Sequence, residues 1–452
     1  MRRHAFPPSV STVVAATLLG MMLMACSSPA GDRQTESASI APASTTAAPP
    51  PATQSPTAIA TASPSTPFEV SAERVSIRPP SGASFRVRGT YPWSPSRCVR
   101  PDRPRLDGRY PGTLWIRAAD DGSVTVAVTL TFRRYLEGIA EVPPTWPMAA
   151  LEAQVIAARS YVLSRTGWEG AQGESLDGSI CGTADCQVYG GIPDPRPPGI
   201  RRWYEAVRRT RGQVLLYGDR PADTVYFSTS NGRTYGNDEV FGSSPLAYLR
   251  PTVERDDGAS PLSNWRVELP FADLETVLPA AGLWPSGVRI ASASVSGSTI
   301  RIAGGGRTAS LDASGLRDAV NTWAPCLLPG RYPSGGLPIT IPSGWFGVSS
   351  GARSLVVQGR GWGHGVGMVQ WGAYGKASRG WSARRILAFY YGGLKPRPYP
   401  EPGSMQVVVA TGLRSLTVVP SRAGARLGEL TLSTRKLRIT GGEQVTVSGR
   451  GS

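Results

Sequence analysis

Histidine is almost absent from this sequence: the 452 residues include two, His4 and His364. His4 lies in a segment that we expect to be cut off, which leaves His364 as the only imidazole of the working protein. A metal centre built from several histidines is therefore excluded, and a Ser-His-Asp or Cys-His arrangement would have to use His364. A G-x-S-x-G nucleophile elbow is also missing, as is a glycine-rich loop ending in Gly-Lys-Ser/Thr. The remaining chemistry is that of carboxylates, with hydroxyl and amide groups as helpers.

Blocks of basic residues are missing too, although the net charge is +16 at neutral pH. The basic residues are scattered along the chain and most are arginines. Such a balance indicates an anionic partner, such as an anionic lipid surface or an acidic cell wall. A nucleic-acid-binding arm needs clustered lysine and arginine, so we expect no nucleic acid partner.

Long apolar runs are scarce, and the one that resembles an export signal lies at the start of the chain. It extends from Val10 to Met24 behind two arginines, and Leu23–Cys26 resembles a bacterial lipobox. We therefore predict a lipoprotein signal peptide over residues 1–25. Cys26 would carry the lipid that anchors the protein to the outer face of the bacterial cytoplasmic membrane, facing the cell wall. The alternative is an ordinary signal peptide with an incidental cysteine.

Cysteine is also rare, and an even number remains beyond Cys26. The four are Cys98, Cys181, Cys186 and Cys326. An even count in an exported protein suggests disulfides. Cys181 and Cys186 are close enough for a small loop, which leaves Cys98 with Cys326, but the sequence leaves the other two pairings open.

The composition divides the chain into segments. Residues 26–66 are dominated by Ser, Thr, Ala and Pro, so they cannot form a core and we expect a lipid-anchored disordered linker. The chain becomes foldable near Phe68. We predict an N-terminal β-rich extension over 67–112, a main domain over 113–395 and a C-terminal β-rich tail over 396–452.

Local patterns in the main domain favour a mixed α+β class. Two strands, 113–117 and 124–130, are predicted to form a hairpin whose turn is Asp120-Asp121-Gly122. Helical spacing of apolar residues predicts helices over about 147–164 and 383–391. Short β-like runs, such as 224–230 and 288–302, lie between the helices. We expect a strand-rich mixed domain with a few packed helices, preceded by a disordered spacer.

The segment 361–372, Gly-Trp-Gly-His-Gly-Val-Gly-Met-Val-Gln-Trp-Gly, has an unusual composition. Its glycines let the backbone approach a ligand closely. Trp362 and Trp371 offer flat apolar faces that suit sugar rings, and His364 and Gln370 can form hydrogen bonds. The alternative is a tight turn with a packed tryptophan and a partnered histidine, and composition alone does not decide between the two.

Glu141 is a candidate for acid–base chemistry. It precedes the helix predicted from about residue 147, in a loop with two prolines and a tryptophan. Apolar surroundings raise the pKa of a carboxyl group, whereas a neighbouring helix N-terminus lowers it, and the sequence leaves the balance open. The alternative is a glutamate that serves only the helix dipole. The hydroxyl-rich run 228–234 follows a strand-like segment and is typical of a cleft wall or of a turn.

Six segments, in order, resemble the motifs of the stage II sporulation protein D and amidase-enhancer family, the SpoIID/LytB-type domain. The resemblance covers residues 113–393, and Asn231 stands where many members have glycine. The segments are Tyr135–Pro143, Trp146–Tyr161, Cys186–Gly191, Phe227–Thr234, Gly361–Ala373 and Ile386–Gly393.

The resemblance implies a bacterial cell-wall protein that acts on peptidoglycan glycan strands. Sporulation members are lytic transglycosylases, and Glu141 matches their catalytic acid. The resemblance further implies that glycan would be bound, or Glu141 oriented, by Arg159, Ser230, Asn231, Trp362, His364 and Gln370. No cofactor is expected. Some relatives bind zinc near the paired cysteines through histidines, which are missing here, so we expect a Cys181–Cys186 disulfide and no metal.

Two other functions stay open. Amidase-enhancer members stimulate a partner hydrolase, so the chain could be a wall-binding regulator of a cell-wall amidase without activity of its own. A third possibility is an adhesive scaffold tethered to the wall, in which the linker and the basic charge matter and the cleft does not.

Overall fold

The computed structural model describes five ranges of the chain: 68–91, 105–139, 141–193, 196–432 and 436–449. The predicted signal peptide, Cys26, the linker and Cys98 lie outside them. Among the helices in the described ranges, none combines the length and the hydropathy that a membrane span requires.

The architecture is α+β with more strand than helix, as predicted. The predicted helices are confirmed as α2, which begins after Pro147, and α8, whose first turn is capped by the Ser382 hydroxyl. The helices are α1 (Phe132–Glu137), α2 (Met148–Arg165), α3 (Ile200–Arg209), α4 (Asn237–Phe241), α5 (Phe271–Ala280), α6 (Ala313–Leu327), α7 (Gln370–Ser378) and α8 (Ala383–Tyr390).

The strands are short and are distributed over several sheets. They are β1 (Phe68–Ala72), β2 (Arg74–Arg78), β3 (Ser84–Thr90), β4 (Arg105–Pro111), β5 (Thr113–Ala118), β6 (Val124–Thr131), β7 (Ser175–Cys181), β8 (Gln213–Tyr217), β9 (Arg220–Pro221), β10 (Tyr226–Phe227), β11 (Trp265–Pro270), β12 (Ser292–Ser296), β13 (Thr299–Gly304), β14 (Arg307–Asp312), β15 (Phe346–Ser350), β16 (Ser354–Gly359), β17 (Met368–Val369), β18 (Pro396–Pro398), β19 (Ser404–Leu413), β20 (Ser415–Pro420), β21 (Ala425–Leu427), β22 (Leu430–Leu432), β23 (Leu437–Thr440) and β24 (Val445–Gly449).

The two largest sheets are built across the predicted segment boundaries. The six-stranded sheet, in the order β1-β24-β23-β20-β3-β4, consists only of strands from the N-terminal extension and the C-terminal tail. The seven-stranded sheet, in the order β22-β21-β2-β5-β6-β19-β7, joins both segments to the main domain. The extension and the tail are therefore partners of each other, although they are far apart in the sequence.

The predicted hairpin at residues 120–122 is confirmed. Strands β5 and β6 pair antiparallel, and the Ser123 N–H donates to Asp121 Oδ1 at 2.9 Å inside the turn. Gly122 has a φ of 72°, a conformation that glycine adopts without steric cost.

Helix α2 lies at the centre of the main domain. It contacts α3, α7, α8 and strands β8 and β9. Thirteen of its eighteen residues are buried, which is typical of a core helix rather than a surface helix. Its five alanines let these neighbours approach closely, and the helix provides a rigid base for the loop that carries Glu141.

A short parallel pair brings two distant motifs together. Tyr226 pairs with Met368 and Phe227 pairs with Val369. The predicted strand over 224–230 is therefore limited to β10. The residues after it have other partners, since Thr229 and Trp362 exchange backbone hydrogen bonds of 3.1 and 2.8 Å. The hydroxyl-rich run thus lies beside the glycine-rich segment.

Candidate functional site

Glu141 lies in an ordered, mostly apolar loop before α2. Its neighbours Val142, Pro143 and Pro144 are buried, and Glu141 itself is 8% exposed. The Trp146 ring packs against Trp371 at a centroid distance of 5.0 Å. The contact between Trp146 and Trp371 therefore joins this loop to the glycine-rich segment near the other end of the main domain.

The Glu141 carboxyl group is oriented by the backbone of the segment that follows Cys186. Its Oε1 accepts a hydrogen bond from the Val188 N–H at 2.7 Å. From the other side, Gln370 Nε2 approaches the Glu141 carbonyl oxygen at 3.4 Å and Gln154 Oε1 at 3.5 Å. Three segments that are distant in sequence thus meet at Glu141.

A buried chain of side-chain hydrogen bonds lies next to Glu141. The Tyr135 hydroxyl donates to Gln187 Oε1, and Gln187 Nε2 donates to the Tyr226 hydroxyl at 2.7 Å. Because Tyr226 accepts from Gln187 with its hydroxyl oxygen, its own hydroxyl proton is free to point elsewhere. The network therefore joins α1, the segment after Cys186 and β10 around the carboxyl group.

The tyrosines around Glu141 keep their protons. Burial raises the pKa of Tyr226 and of Tyr135 well above the usual value, and the negative charge of Glu141 adds to both effects. Burial also raises the pKa of Tyr161 to about 12, against the opposing charge of Arg165. These hydroxyl groups are consequently neutral hydrogen-bond donors at any physiological pH.

A cleft of about 1170 Å³ opens beside this network. Tyr161 and Tyr226 line it together with Cys186, Trp345 and His364. Glu141 is not among the lining residues. It lies next to the wall, since its partner Val188 follows Cys186 by two residues and its charge acts on Tyr226. Tyr226 therefore both lines the cleft and lies within range of the Glu141 charge.

His364 directs both ring nitrogens into the protein. Nε2 lies 2.9 Å from the Tyr226 carbonyl oxygen, and the Val366 N–H donates to Nδ1 at 3.1 Å. Because a carbonyl only accepts, Nε2 carries the proton and the ring is neutral. Burial lowers the pKa of His364 to about 4, only partly offset by the Tyr226 hydrogen bond, and the charge of Arg165 lowers it further. The imidazole therefore presents its ring to the cleft.

This arrangement predicts a pH-dependent contribution of His364 to stability. The imidazole pKa is about 4 in the folded state, against 6.5 ordinarily. As the pH falls from 6.5 towards 4, the unfolded state gains a proton that the folded state does not, so wild-type stability is lost in this window. A His364→Gln variant lacks this loss. Its deficit in unfolding free energy relative to wild type should be largest above pH 6.5 and shrink towards pH 4. Urea unfolding at a series of pH values measures it, and a constant deficit would rule out the shifted pKa.

The glycines of residues 361–367 are required by the protein's own packing. Gly361, Gly363, Gly365 and Gly367 all have φ between 74° and 112°. At Gly367 a Cβ atom would lie 2.0 Å from the Val225 carbonyl oxygen. The alternating glycines therefore form a tight turn that packs closely against Val225 and β10, which corresponds to the alternative of a tight turn with a partnered histidine.

Trp362 and Arg159 are not brought to the cleft. Trp362 is 2% exposed, and its backbone pairs with Thr229. Arg159 is buried in α2, where its Nε lies 2.6 Å from Glu401 Oε1 and its Nη1 donates to the Gln213 carbonyl at 3.2 Å. Both side chains hold parts of the fold together.

Ser230 and Asn231 act on neighbours of the cleft. The Ser230 N–H and hydroxyl both donate to Asp257 Oδ2 at 2.7 Å. The Asn231 amide donates to the Tyr235 hydroxyl at 2.7 Å, and Tyr235 lines the cleft. Among the predicted binding residues, Gln370 is the one with a hydrogen-bond contact to Glu141, through its Nε2 and the Glu141 carbonyl oxygen.

The cysteines near the cleft do not form a zinc site. Cys181 and Cys186 are joined in a disulfide, as predicted. Their sulfur atoms are therefore not thiolates, and Asp185 is the neighbouring carboxylate. Within the described ranges no group of three or more His, Cys, Asp or Glu residues could hold a metal ion. Cys326 is also a disulfide cysteine, and its predicted partner Cys98 lies outside the described residues.

Three buried polar residues of the site were not singled out by the sequence analysis: Gln154, Gln187 and Tyr226. For the two glutamines, the sequence feature that could have identified them is an amide side chain among apolar residues. Gln154 interrupts the alanine-rich face of α2, and Gln187 follows Cys186 directly. A buried amide needs partners, and in this protein those partners surround Glu141.

The fold and the site define a strand-rich α+β protein with a buried carboxyl group beside a cleft lined by aromatic residues. A family model described as stage II sporulation protein, SpoIID, matches residues 120–217, which include Glu141, α2 and the disulfide. The resemblance that the sequence motifs indicated, to the SpoIID/LytB-type family, is thereby confirmed.

Similarity to individual proteins extends further along the chain. An uncharacterised protein of Brachyspira hyodysenteriae is 28% identical over 63% of this chain and 71% of its own length. The stage II sporulation protein D of Bacillus subtilis is 27% identical over 58% of the chain and 74% of its own length. The amidase enhancer of Bacillus subtilis is 27% identical over 56% of the chain, but the match spans 38% of that longer protein.

Proposed function

We propose that this protein acts on peptidoglycan glycan strands as a lytic transglycosylase, with Glu141 as general acid and then general base. A peptidoglycan-related role is supported by the family match and by relatives named for sporulation and for amidase enhancement. The observation that carries the catalytic part is the Glu141 carboxyl group, which is buried, oriented by the Val188 N–H and adjacent to the cleft.

The proposed reaction needs one carboxyl group. Protonated Glu141 donates its proton to the glycosidic oxygen between N-acetylmuramic acid and N-acetylglucosamine, and the bond to the anomeric carbon breaks. The 6-hydroxyl group of the same muramic acid attacks that carbon while its proton passes to the Glu141 carboxylate. The acid is regenerated, a 1,6-anhydro end forms and no water is consumed. Ordinary glycosidases need a second carboxylate to activate water or to attack the sugar.

The surroundings of Glu141 suit these proton transfers. The hydrogen bond from Val188 fixes the carboxyl plane, so the other oxygen has a defined direction. Tyr161 and Tyr226 are neutral donors beside the carboxyl group. General acid–base catalysis is most effective when the acid is held in a fixed position and its surroundings exclude bulk water. Tyr226 must turn or the wall must open slightly for the sugar to reach Glu141, and its hydroxyl proton is available to bind the sugar.

Incubation of the purified protein alone with peptide-stripped glycan tests this function. We expect anhydro-ended fragments to accumulate without any added hydrolase, because acid, base and nucleophile are all present in one complex. Mass spectrometry of the products detects the anhydro end. If fragments form only after a cell-wall amidase is added, the protein is not a transglycosylase.

A second candidate function is that of a non-catalytic, wall-binding enhancer of an N-acetylmuramoyl-L-alanine amidase. The specific observation in its favour is that the Glu141 carboxyl group and both ring nitrogens of His364 are hydrogen-bonded to backbone groups, and that Glu141 does not line the cleft. In that case the protein would bind glycan without turnover and would raise the rate of an added amidase.

We also propose that the protein works in the cell envelope. Attachment through Cys26 to the outer face of the cytoplasmic membrane would leave residues 26–66 as a tether between the lipid and the wall. Radiolabelled palmitate incorporation into the wild-type protein, and not into a Cys26→Ala variant, would support this anchor.

A further inference from the structure

The rim of the cleft carries two exposed apolar side chains on one short helix. Val240 is 39% exposed and Phe241 is 48% exposed, and both line the cleft. Contiguous exposed apolar surface beside a groove is typical of a binding site. Helix α4 therefore presents an apolar surface to whatever enters the cleft.

Helix α4 is held in position by its own anchor. Asn237 is buried, its amide donates to the Ser244 carbonyl at 2.7 Å, and its Oδ1 accepts from the Leu246 N–H at 2.8 Å. A five-residue helix would not persist alone, so these contacts fix the place of Phe241. The apolar surface formed by Val240 and Phe241 is therefore held in a fixed position at the cleft.

The Phe241 ring rests on His364. Their ring centroids are 5.3 Å apart, and on its other side His364 lies 5.5 Å from the buried Phe227. Both imidazole nitrogens are occupied by backbone partners, so this ring is rigid and uncharged. The single imidazole of the described chain thus supports an exposed aromatic ring.

Trp345 lies in a stacked arrangement with Tyr235, with centroids 5.5 Å apart and ring planes at 12°, and it packs against Phe227 at 6.2 Å. Trp345 and Tyr235 line the cleft, together with charged side chains of both signs: Arg165 and Arg317, and Asp185, Asp223 and Glu239. These side chains offer hydrogen-bond donors and acceptors to the polar edge of a ligand. Apolar faces combined with polar edges match a pyranose ring, which has C–H groups on its face and hydroxyl groups at its edge.

We propose that Phe241 is a substrate-binding residue that stacks on a pyranose ring of the glycan, with His364 as its support and Trp345 as a further aromatic side chain of the cleft lining. This inference rests on the proposed function, because it takes glycan as the ligand. The cleft volume of about 1170 Å³ is large enough for more than one sugar ring. Phe241 would therefore hold a sugar next to the wall formed by Tyr226.

The test compares glycan affinity of Phe241 variants in a Glu141→Gln background, so that no substrate is turned over. Peptide-stripped glycan oligosaccharides are titrated into full-length protein by calorimetry. We expect Phe241→Ala to weaken binding about tenfold, as for an aromatic anchor in a binding site. Phe241→Trp should restore the affinity, whereas Phe241→Leu, which is apolar but has no flat face, should not. Val253→Ala removes another exposed apolar side chain that does not line the cleft, and should leave binding unchanged.

The outcomes separate this inference from the function on which it rests. If the Glu141→Gln parent binds glycan and Phe241→Ala binds it equally well, the stacking role is wrong and the proposed function stands. Equal affinities of the leucine and tryptophan variants would also contradict stacking. If the parent protein does not bind glycan at all, the proposed function fails, and this inference fails with it.

Discussion

Replacement of Glu141 by glutamine is expected to lower the rate of anhydro-fragment release from peptide-stripped glycan by roughly a hundredfold to ten-thousandfold, the range for a lost general acid–base group. Glutamine has nearly the same shape, and its Oε1 can still accept the Val188 hydrogen bond. It cannot donate a proton to the glycosidic oxygen or recover one from the 6-hydroxyl group. The loss should therefore appear in kcat, with little change in glycan affinity or in unfolding free energy. Single-turnover kinetics with mass spectrometric detection measure it.

Glu137 provides a matched control for Glu141. It lies four residues earlier, has a similar exposure of 9%, and forms ion pairs with Arg133 and Arg134. Those partners lie on α1, and Glu137 does not line the large cleft. Glu137→Gln should therefore retain turnover. Full activity in Glu141→Gln, or an equal loss in both variants, would remove Glu141 from the proposed role.

Replacement of Lys376 by methionine is expected to lower the free energy of unfolding by about 3–5 kcal/mol, the range for removal of one partner of a buried ion pair. The Lys376 and Glu254 side chains are 1% and 0% exposed. Lys376 Nζ lies 2.9 Å from Glu254 Oε1 and 2.8 Å from Asp256 Oδ2. Methionine fills most of the volume but leaves the Glu254 carboxylate without the Lys376 counter-charge in a buried site. Urea unfolding measures the change.

Two further variants identify the cause of that loss. Arg379, the residue that follows the end of α7, also pairs with Asp256, but its side chain is 58% exposed. Arg379→Met should therefore cost less than about 1 kcal/mol, as expected for exposed ion pairs. A Lys376→Met, Glu254→Gln double variant removes both buried charges and should recover part of the stability. If Lys376→Met is no more destabilising than Arg379→Met, the buried ion pair does not stabilise this part of the fold.

The Lys376 ion pair also has a consequence for the site. The loop that contains Glu254 continues to Asp257, whose carboxylate holds Ser230. Helix α7 begins with Gln370, which contacts the Glu141 loop. Loss of the ion pair would therefore affect both the segment that holds Ser230 and the contact of α7 with the Glu141 loop.

Local patterns predicted those parts of the fold that depend on neighbours in sequence. The turn at residues 120–122, helix α2 after Pro147 and the Ser382 cap of α8 are of this kind. The Cys181–Cys186 disulfide could also be predicted, since the two cysteines are five positions apart in the sequence. Glu141 could be singled out because a charged side chain among prolines and tryptophan is unusual.

Pairing between distant segments could not be predicted in the same way. Strand β24 pairs with β1 and strand β20 with β3, although more than 300 residues separate them. Alternation of apolar and polar residues identifies a strand but not its partner. The contact between Phe241 and His364 could not be predicted for the same reason. The two residues are far apart in sequence, and the polar segment around Phe241 does not show which residue its ring contacts.

The glycine-rich segment shows why composition left two alternatives open. Glycine permits close approach to a ligand and close approach to the protein itself in the same way. At Gly363 and Gly365 the closest neighbours of an added Cβ would be Phe227 and Trp345, both within the protein. His364 and Trp362 are part of this packing. Phe241 and Trp345, which line the cleft, lie outside this glycine-rich segment.

The most direct test of the account is the mass of the fragments released from peptide-stripped glycan in water enriched in heavy oxygen. If Glu141 returns its proton through the sugar's own 6-hydroxyl group, wild-type protein will release anhydro ends that carry no heavy oxygen, and Glu141→Gln will release none. Reducing ends that carry heavy oxygen would show hydrolysis by water and would contradict the central claim.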